Sequence, residues 1–187
     1  RMRRLPQIAL LPDGKRLHLQ DGPIDLVIEA KGREGDVRAA YEAAARRFTG
    51  LLDELCEELV ELRRAADPVR CTLKGVVARR MHEAVAPFAV DHFITPMAAV
   101  AGAVADELMA CYRREGIDRA WVNNGGDIAL HLAPEHSVRV GLFADLARLD
   151  GAAARDALGL GQDEGLMLDG AFTVTAALPV RGVATSG

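Results

Sequence analysis

Residues 120–130 most constrain what this chain can fold into, because two apolar runs meet there at a pair of glycines. The stretch reads Ala-Trp-Val-Asn-Asn-Gly-Gly-Asp-Ile-Ala-Leu. Short apolar runs on both sides of turn residues are typical of strand, turn, strand. Adjacent glycines permit positive φ and allow a close backbone approach, since no Cβ intervenes. Asn124 and Asp127 would then stand at the lip of the turn, where their side chains can form hydrogen bonds.

The same turn also has a plain structural interpretation. Asn-Gly is the strongest short-range hairpin signal, and most turns only reverse the chain. The carboxylate of Asp127 could touch a metal or a ribose, but aspartate also readily bonds its own turn backbone. Residues 120–130 therefore predict a hairpin and leave its role open.

Composition excludes several function classes. With 187 residues, the chain is one large or two small domains with room for a sizeable core. Hydrophobic residues at 50% and charged residues at 27% indicate the soluble globular class. A net charge of −4 and only 4% aromatic residues argue against a nucleic-acid partner. No apolar run approaches the length of about 18 residues that a membrane span needs.

The three cysteines, Cys56, Cys71 and Cys111, are far apart and form no CxxC pair. Their odd number fits a reduced, cytoplasmic setting better than a disulfide framework. Buried structural thiols are the default expectation for all three.

Hydrophobic periodicity predicts the elements around this hairpin. Period-two alternation predicts an antiparallel meander over residues 7–11, 16–20 and 24–30. The helical period then runs over 36–66, with a kink or break at Thr49-Gly50. A second helix is predicted near Lys74, closed by Pro87, with His82 as a surface residue. Further strands are predicted at 137–143 and 171–178, while 145–170 has no clear assignment.

Residues 95–109 predict a helix with small residues in its first two turns. Thr95 suits the N-cap, and Pro96 suits the first helical position. The free N–H groups of a helix start suit a phosphate or pyrophosphate. The alternative is a tightly packed buried helix. The small residues, which would let a backbone or a flat ligand lie close, are Ala98, Ala101, Gly102 and Ala105.

Three motifs in order resemble the ApbE family, the FAD:protein FMN transferases. They are the small-residue helix with Gly102 and Asp106, then Val-Asn-Asn-Gly-Gly-Asp-Ile, then Ala-Thr-Ser-Gly at the end of the sequence. The sequence is closer still to an ApbE-like branch that carries Thr-Pro-Met-Ala-Ala-Val-Ala-Gly-Ala-Val-Ala, as residues 95–105 do here. By motif, the resemblance covers about the C-terminal half of the chain.

The resemblance implies an α+β fold of two similar units, each an antiparallel sheet backed by helices, in a T-fold-like duplication. It implies one domain over residues 1–187, cut short at its C-terminus, with internal halves 1–94 and 95–187. The flavin would lie between the two units.

The resemblance also implies a flavin site. The helix start would border the flavin, the glycine turn would form a wall, and the Thr-Ser-Gly strand end would lie opposite. The implied cofactor-binding residues are Thr95, Pro96, Met97, Asn124, Gly125, Gly126, Asp127, Thr185, Ser186 and Gly187.

The implied cofactors are FAD and a magnesium ion that polarises its pyrophosphate. A threonine of an acceptor flavoprotein would attack, FMN would become esterified, and AMP would leave; a metal across the phosphates neutralises the charge that develops there. The transferases have lysine where this chain has Ala101. Their metal ligands lie on a segment beyond the position of residue 187. Catalytic and metal-binding residues are therefore not assigned.

Two functions from different classes follow. The first is a magnesium-dependent FMN transferase with a protein acceptor. The second is a non-catalytic flavin- or nucleotide-binding module, because fold does not carry function by itself. A structural protein whose tight helix only packs, with a homodimer as its assembly, is a third interpretation.

Overall fold

The computed structural model of the chain describes residues 5–142, 170–179 and 181–185. Ser186, Gly187 and the stretch 145–169, for which the sequence gives no clear assignment, lie outside the described residues. Three strands are followed by a run of helices and then by further strands, and every strand pair is antiparallel, so the predicted α+β class is confirmed.

Six strands form the main sheet, in the order β1-β2-β3-β4-β5-β8, and every neighbouring pair is antiparallel. Strands β6 and β7 form a separate antiparallel pair. The strands are β1 (Gln7–Leu10), β2 (Leu17–Asp21), β3 (Ile24–Gly32), β4 (Ile117–Asn124), β5 (Asp127–Leu132), β6 (Ser137–Leu142), β7 (Gly170–Thr175) and β8 (Gly182–Val183).

The N-terminal meander is confirmed as β1, β2 and β3. Alternation decides which side chains enter the core, because successive residues of a strand point to opposite faces. Leu17 and Leu19 are buried, whereas His18 between them lies on the other face and contacts Asp25 through Nε2 at 2.8 Å.

Helices cover one face of the main sheet. The long helical pattern is broken at Gly50, whose φ of 87° is left-handed, so the predicted break at Thr49-Gly50 is confirmed. Proline at position 87 lies in a short 3-10 segment that ends the next helix, also as expected. The helices are α1 (Glu34–Phe48), α2 (Leu51–Glu57), α3 (Leu59–Leu62), α4 (Val76–Val85) and α5 (Val100–Met109).

Two apolar clusters hold the layers together. The larger lies between the sheet and the helices, and includes Leu26 from β3, Phe48 from α1 and Leu108 from α5, all fully buried. The smaller lies on the opposite face of the sheet, where Leu130 of β5 packs with Val174 of β7. Strands β4 and β5 are therefore covered on both sides, which fixes the position of the turn that joins them.

The central strand pair joins distant parts of the sequence. Strand β3 pairs with β4 from Leu26 opposite Asn124 to Gly32 opposite Ile117. Strands from both sides of residue 94 thus share one sheet. The division into halves 1–94 and 95–187, and the duplication, stay predictions.

Two expectations about single side chains are wrong. His82 is only 7% exposed, and its Nε2 lies 2.8 Å from the carbonyl oxygen of Asp67. The backbone at Asp67 covers His82, whereas Arg79 and Glu83 of the same helix stay exposed. Cys56 and Cys71 are exposed, and Cys111 is half-buried, rather than all three being core thiols. No helix in the described part of the chain is long and apolar enough to cross a membrane.

Candidate functional site

The turn between β4 and β5 is a two-residue hairpin. Asn124 and Asp127 form the last cross-strand pair, and the two glycines between them carry the reversal. Gly125 has φ of 61° and Gly126 has φ of 103°, the positive values that a type I′ turn requires at both central positions. The backbone N–H of Gly126 donates to Oδ1 of Asn123 at 2.9 Å, a hydrogen bond within the turn itself.

Asn124 and Asp127 both face helix α5. Directly paired residues share a face, and the pair Val122–Ala129, two positions further along, is in the core on the helix side. Nδ2 of Asn124, which is only 8% exposed, donates to the carbonyl oxygen of Ala101 at 3.1 Å. The hydrogen bond from Asn124, a residue that the sequence predicted at the edge of the turn, therefore links the turn to helix α5.

The carboxylate of Asp127 lies over Gly102. A Cβ at Gly102 would be 3.8 Å from Oδ2 of Asp127, an ordinary contact distance. The carboxylate is half-buried, and no described residue donates a hydrogen bond or an ion pair to it. It does not cap its own glycine turn, because the turn amide of Gly126 is bonded to Asn123 instead. Beside α5 there is thus a hydrogen-bond acceptor that has no donor within residues 5–142, 170–179 and 181–185.

Thr185 completes one side of this cluster. Strand β8 pairs with β5 at Val183 opposite Ile128 and Gly182 opposite Ala129, so continuing that register sets Thr185 opposite Gly126. A Cβ at Gly126 would collide with Oγ1 of Thr185. The glycine is therefore required for two reasons, its positive φ and this close approach.

The helix start is where the sequence predicted it. A short 3-10 segment, Pro96–Ala99, precedes α5, with Thr95 at the N-cap and Pro96 at the first position. The side chain of Thr95 makes no capping hydrogen bond. Pro96 is buried and Met97 packs against the main core, so neither presents its side chain openly to a ligand.

Some of the predicted site residues lie together at the turn, and others lie away from it. Asn124, Gly126, Asp127 and Thr185 are brought together beside the first residues of α5, and Gly125 lies exposed at the tip of the turn. Met97 precedes Gly102 by about 8–10 Å along the helix, at roughly 1.5–2 Å per residue. Among the described residues, no hydrogen bond joins 95–97 to the turn.

The sequence analysis missed an ion network on the far side of α5. Glu107, 13% exposed, accepts from Nε of Arg47 at 2.7 Å and from a terminal nitrogen of Arg80 at 2.8 Å. Arg80 also contacts Asp106 at 3.2 Å, and Asp106 in turn pairs with Arg113. Burial alone would raise the pKa of Glu107, but the hydrogen bonds from Arg80 and Arg47 outweigh it and hold that pKa below its usual value. The network clamps α5 to α1 and α4.

The carboxylate at the turn could take part in binding a magnesium ion. No group of three or more His, Cys, Asp or Glu side chains suited to a metal occurs within 5–142, 170–179 and 181–185. Magnesium, however, is often held by one or two carboxylates together with phosphate oxygens of a substrate. Asp127 fits the protein side of that arrangement, whereas a closed all-protein metal cage does not fit the described residues.

Comparison with known proteins gives one long and one short match. The family model described as AbpE bacteria matches residues 8–187. A UPF0280 protein from Methanospirillum hungatei JF-1 is 41% identical over 61 residues, which is 33% of this chain and 24% of that protein. The short match spans about a quarter of its relative, so it carries no conclusion about the whole protein.

The long match corrects the family drawn from the motifs. The helix, turn and Thr-Ser-Gly motifs suggested the ApbE-like flavin transferases, and this assignment is wrong, because the matching model is that of a different family. Short glycine motifs shared by several families explain the error, since each motif has only moderate specificity. The match covers all but the first seven residues, and the chain therefore belongs to the AbpE bacteria family.

Proposed function

We propose that this protein binds a flavin or a related nucleotide at the turn between β4 and β5, with FAD as the first ligand to test. The observation that carries the proposal is the carboxylate of Asp127, which lies over Gly102 and receives no hydrogen bond from any residue that the structure describes. A half-buried carboxylate that no side chain or backbone group satisfies is suited to a ligand hydroxyl or to a metal that bridges phosphates.

The surroundings of Asp127 support a flat, phosphate-bearing ligand. Gly102 and Ala101 are small residues at the half-buried start of α5, and the glycine turn offers backbone without side chains. Thr185, next to Gly126, adds a hydroxyl to the turn. Small residues permit close approach, and hydroxyl and amide groups fix the orientation of a ligand.

We propose binding without group transfer as the function. In the described part of the chain Asp127 belongs to no group of three or more His, Cys, Asp or Glu side chains that could hold the metal on which the transfer depends. FMN transfer to a protein threonine, with magnesium and an acceptor flavoprotein, stays a prediction that depends on binding. The proposal includes a cytoplasmic setting, because reducing compartments keep exposed thiols such as Cys56 and Cys71 free.

The test is a titration of the full chain with FAD, FMN and AMP, each with and without magnesium, followed by flavin fluorescence or calorimetry. We expect FAD to bind, and magnesium to strengthen binding if phosphates and Asp127 share the ion. Asp127→Asn should weaken FAD binding about tenfold and remove the effect of magnesium. Glu34→Gln, an exposed acidic residue at the start of α1, is the matched control for loss of one charge.

A second pair of variants tests whether ligand binding depends on the close contact at Gly126. Gly126→Val should abolish binding, because the side chain would occupy the space of Thr185. Gly125→Asn should leave binding intact, since nothing lies within 4 Å of a Cβ there and asparagine tolerates positive φ. Failure of all three ligands to bind the folded wild-type protein would refute the proposal and favour a purely structural role.

A further inference from the structure

Strand β1 forms an open edge of the main sheet. It is the first strand in the order and pairs with β2, and no described strand lies along its other side. All of its residues are exposed, and they include no charged residue, no proline and no bulge. Natural proteins usually protect an exposed edge with one of these features or with a covering segment, because an open edge pairs readily with a further strand. Within the described part of the chain, β1 has no such protection.

The hydrogen-bonding groups at this edge belong to Ile8 and Leu10. The N–H of Leu11 donates to the carbonyl oxygen of Arg16 at 2.8 Å, so this pair is bonded across β1 and β2. Opposite residues of an antiparallel ladder alternate between bonded and non-bonded pairs. Ala9 is therefore bonded to β2, whereas Ile8 and Leu10 direct their N–H and C=O groups outward, where no described residue meets them.

The side chains of Ile8 and Leu10 lie on the helix face of the sheet. They stand opposite Leu19 and Leu17, which are buried in the main core, and directly paired residues share a face. The helices do not extend over β1, since Ile8 is 42% and Leu10 is 56% exposed. An apolar surface therefore continues from the core to the open edge.

We propose that two copies of this chain associate through β1, in antiparallel pairing about a two-fold axis at Ala9. Ile8 then exchanges backbone hydrogen bonds with Leu10 of the partner subunit, and Leu10 does so with Ile8 of the partner subunit. Both copies use the same surface, as a two-fold interface requires, and the main sheet continues from one copy into the other. The apolar side chains of the two edges pack side by side on the helix face.

The prolines that flank β1 favour this partner and this register. Pro6 and Pro12 take the next outward positions, since each lies two residues beyond Ile8 or Leu10, and proline has no N–H to donate. An axis at Ile8 would set Leu10 against Pro6 of the partner subunit, and an axis at Leu10 would set Ile8 against Pro12 of the partner subunit. The axis at Ala9 instead pairs each outward N–H with a carbonyl and each outward carbonyl with an N–H. The edge is thus complementary to itself, which favours a second copy over a strand of another protein.

The length of β1 determines how strong this association is. A strand of four residues is about 13 Å long at roughly 3.3 Å per residue. Its pairing with a second copy buries less than the roughly 1,600 Å² of a standard interface and falls among the interfaces below about 1,200 Å² that form weak, reversible complexes. We therefore expect a dimer that dissociates on dilution, with a dissociation constant of about 10–100 μM.

Sedimentation equilibrium of the full chain, at concentrations on both sides of this range, measures the association. Leu10→Lys should weaken it at least tenfold, because the change removes an apolar contact and puts a charge on the edge. Val60→Lys, at a residue that is 69% exposed on α3, is the matched control and should leave it unchanged. Ile8→Pro should also weaken it at least tenfold by removing an outward N–H, while the bonds of Ala9 to β2 preserve the fold. Thermal denaturation verifies that each variant is folded.

Cysteine cross-linking tests the register, in a background of Cys56→Ser and Cys71→Ser that removes the exposed thiols. Ala9→Cys places two thiols opposite each other in a non-bonded pair, whose Cα atoms are about 4.5 Å apart and so within the disulfide range of about 4.4–6.8 Å. Ile8→Cys places them on residues whose Cα atoms are about 8 Å apart, which is beyond that range. Mild oxidation should therefore give a covalent dimer from Ala9→Cys and none from Ile8→Cys.

Three results would count against the proposal. A chain that stays monomeric at every concentration would overturn it and would leave the edge to a strand of another protein. Equal association of the wild type and Leu10→Lys would place the contact elsewhere on the surface and would also overturn it. Equal cross-linking of Ala9→Cys and Ile8→Cys would disprove the two-fold axis at Ala9.

Discussion

Asn124 donates from Nδ2 to the carbonyl oxygen of Ala101 at 3.1 Å, and this bond fastens the glycine turn to helix α5. The donor is almost fully buried, so water cannot replace the bond without rearrangement. The position of Asp127, the next residue to face the helix, therefore depends on Asn124. The hydrogen bond between Asn124 and Ala101 thus links the conformation of the turn to the position of α5.

Asn124→Asp should cost about 3 kcal/mol of unfolding free energy at pH 7, because a buried carboxylate would face a carbonyl oxygen. Asn124→Ala should cost about 1–2 kcal/mol, since it removes the donor without adding charge. Urea denaturation measures both. The folded pKa of that buried carboxyl should lie above its unfolded value of about 4, so the extra loss should shrink as pH falls through the raised pKa and be gone by about pH 4, where a protonated acid can donate to Ala101. Equal losses in the two variants at every pH would contradict this account.

Gly126→Ala should destabilise the protein by about 2–3 kcal/mol, because positive φ is strained for alanine and its Cβ would collide with Thr185. Gly14→Ala is the matched control. Gly14 has a similar positive φ of 67°, but nothing lies within 4 Å of a Cβ there, so only the strain of about 1 kcal/mol remains. Thermal denaturation should rank the two variants in this order; the reverse order would show that Thr185 moves aside without cost.

Tyr112→Phe should leave stability unchanged or raise it by about 1 kcal/mol. The hydroxyl of Tyr112 is fully buried and has no hydrogen-bond partner among the described residues, so removing it removes a cost. Tyr41, whose ring packs against it edge to face, provides the contrast. Its hydroxyl donates to the carbonyl of Lys15 and accepts from the amide of Ala30, and Tyr41→Phe should therefore cost about 1–2 kcal/mol. Chemical denaturation of both variants checks the difference.

Glu107→Gln should lower stability at pH 7 by about 1–3 kcal/mol, because Arg47 and Arg80 lose a charged acceptor. The folded pKa of Glu107 is held below its unfolded value of 4.5. Its contribution is therefore present above that value and is lost as pH falls through the lower, folded pKa. The wild type should lose stability relative to Glu107→Gln over this acid range. Glu42→Gln, whose carboxylate lies 4.0 Å from Arg46 on the surface, should show a change of less than about 0.5 kcal/mol.

Local signals account for what the sequence could predict. The hairpin at Gly125-Gly126, the break at Gly50 and the helix start at Pro96 each follow from the backbone preferences of a few neighbouring residues. Those preferences act whatever surrounds them. The same locality made Asn124 and Asp127 identifiable as side chains at the lip of the turn.

Features that depend on distant segments could not be predicted in the same way. His82 is buried because the loop at Asp67 covers it, and no periodicity within α4 reveals that cover. Arg47 meets Glu107 although sixty positions separate them, since α1 and α5 lie side by side on the sheet. The pKa of His131 is lowered by its burial and by arginines of two other segments, Arg113 and Arg181. The family assignment from the motifs was wrong for a related reason, because a short motif describes a local turn or helix start and not the whole chain.

The pairing of β3 with β4 also determines how this protein can be assembled. These central strands meet only after all the residues from 33 to 116, including helices α1 to α5, have been brought into a closed loop. Closing so long a loop is entropically costly before any of its contacts form, and chains rich in such pairings fold slowly. The first three strands and the helices can emerge from the ribosome well before their partner strand exists. Until β4 is synthesised, the inner edge of β3 is therefore open to other chains, and the nascent protein is exposed to aggregation at that edge.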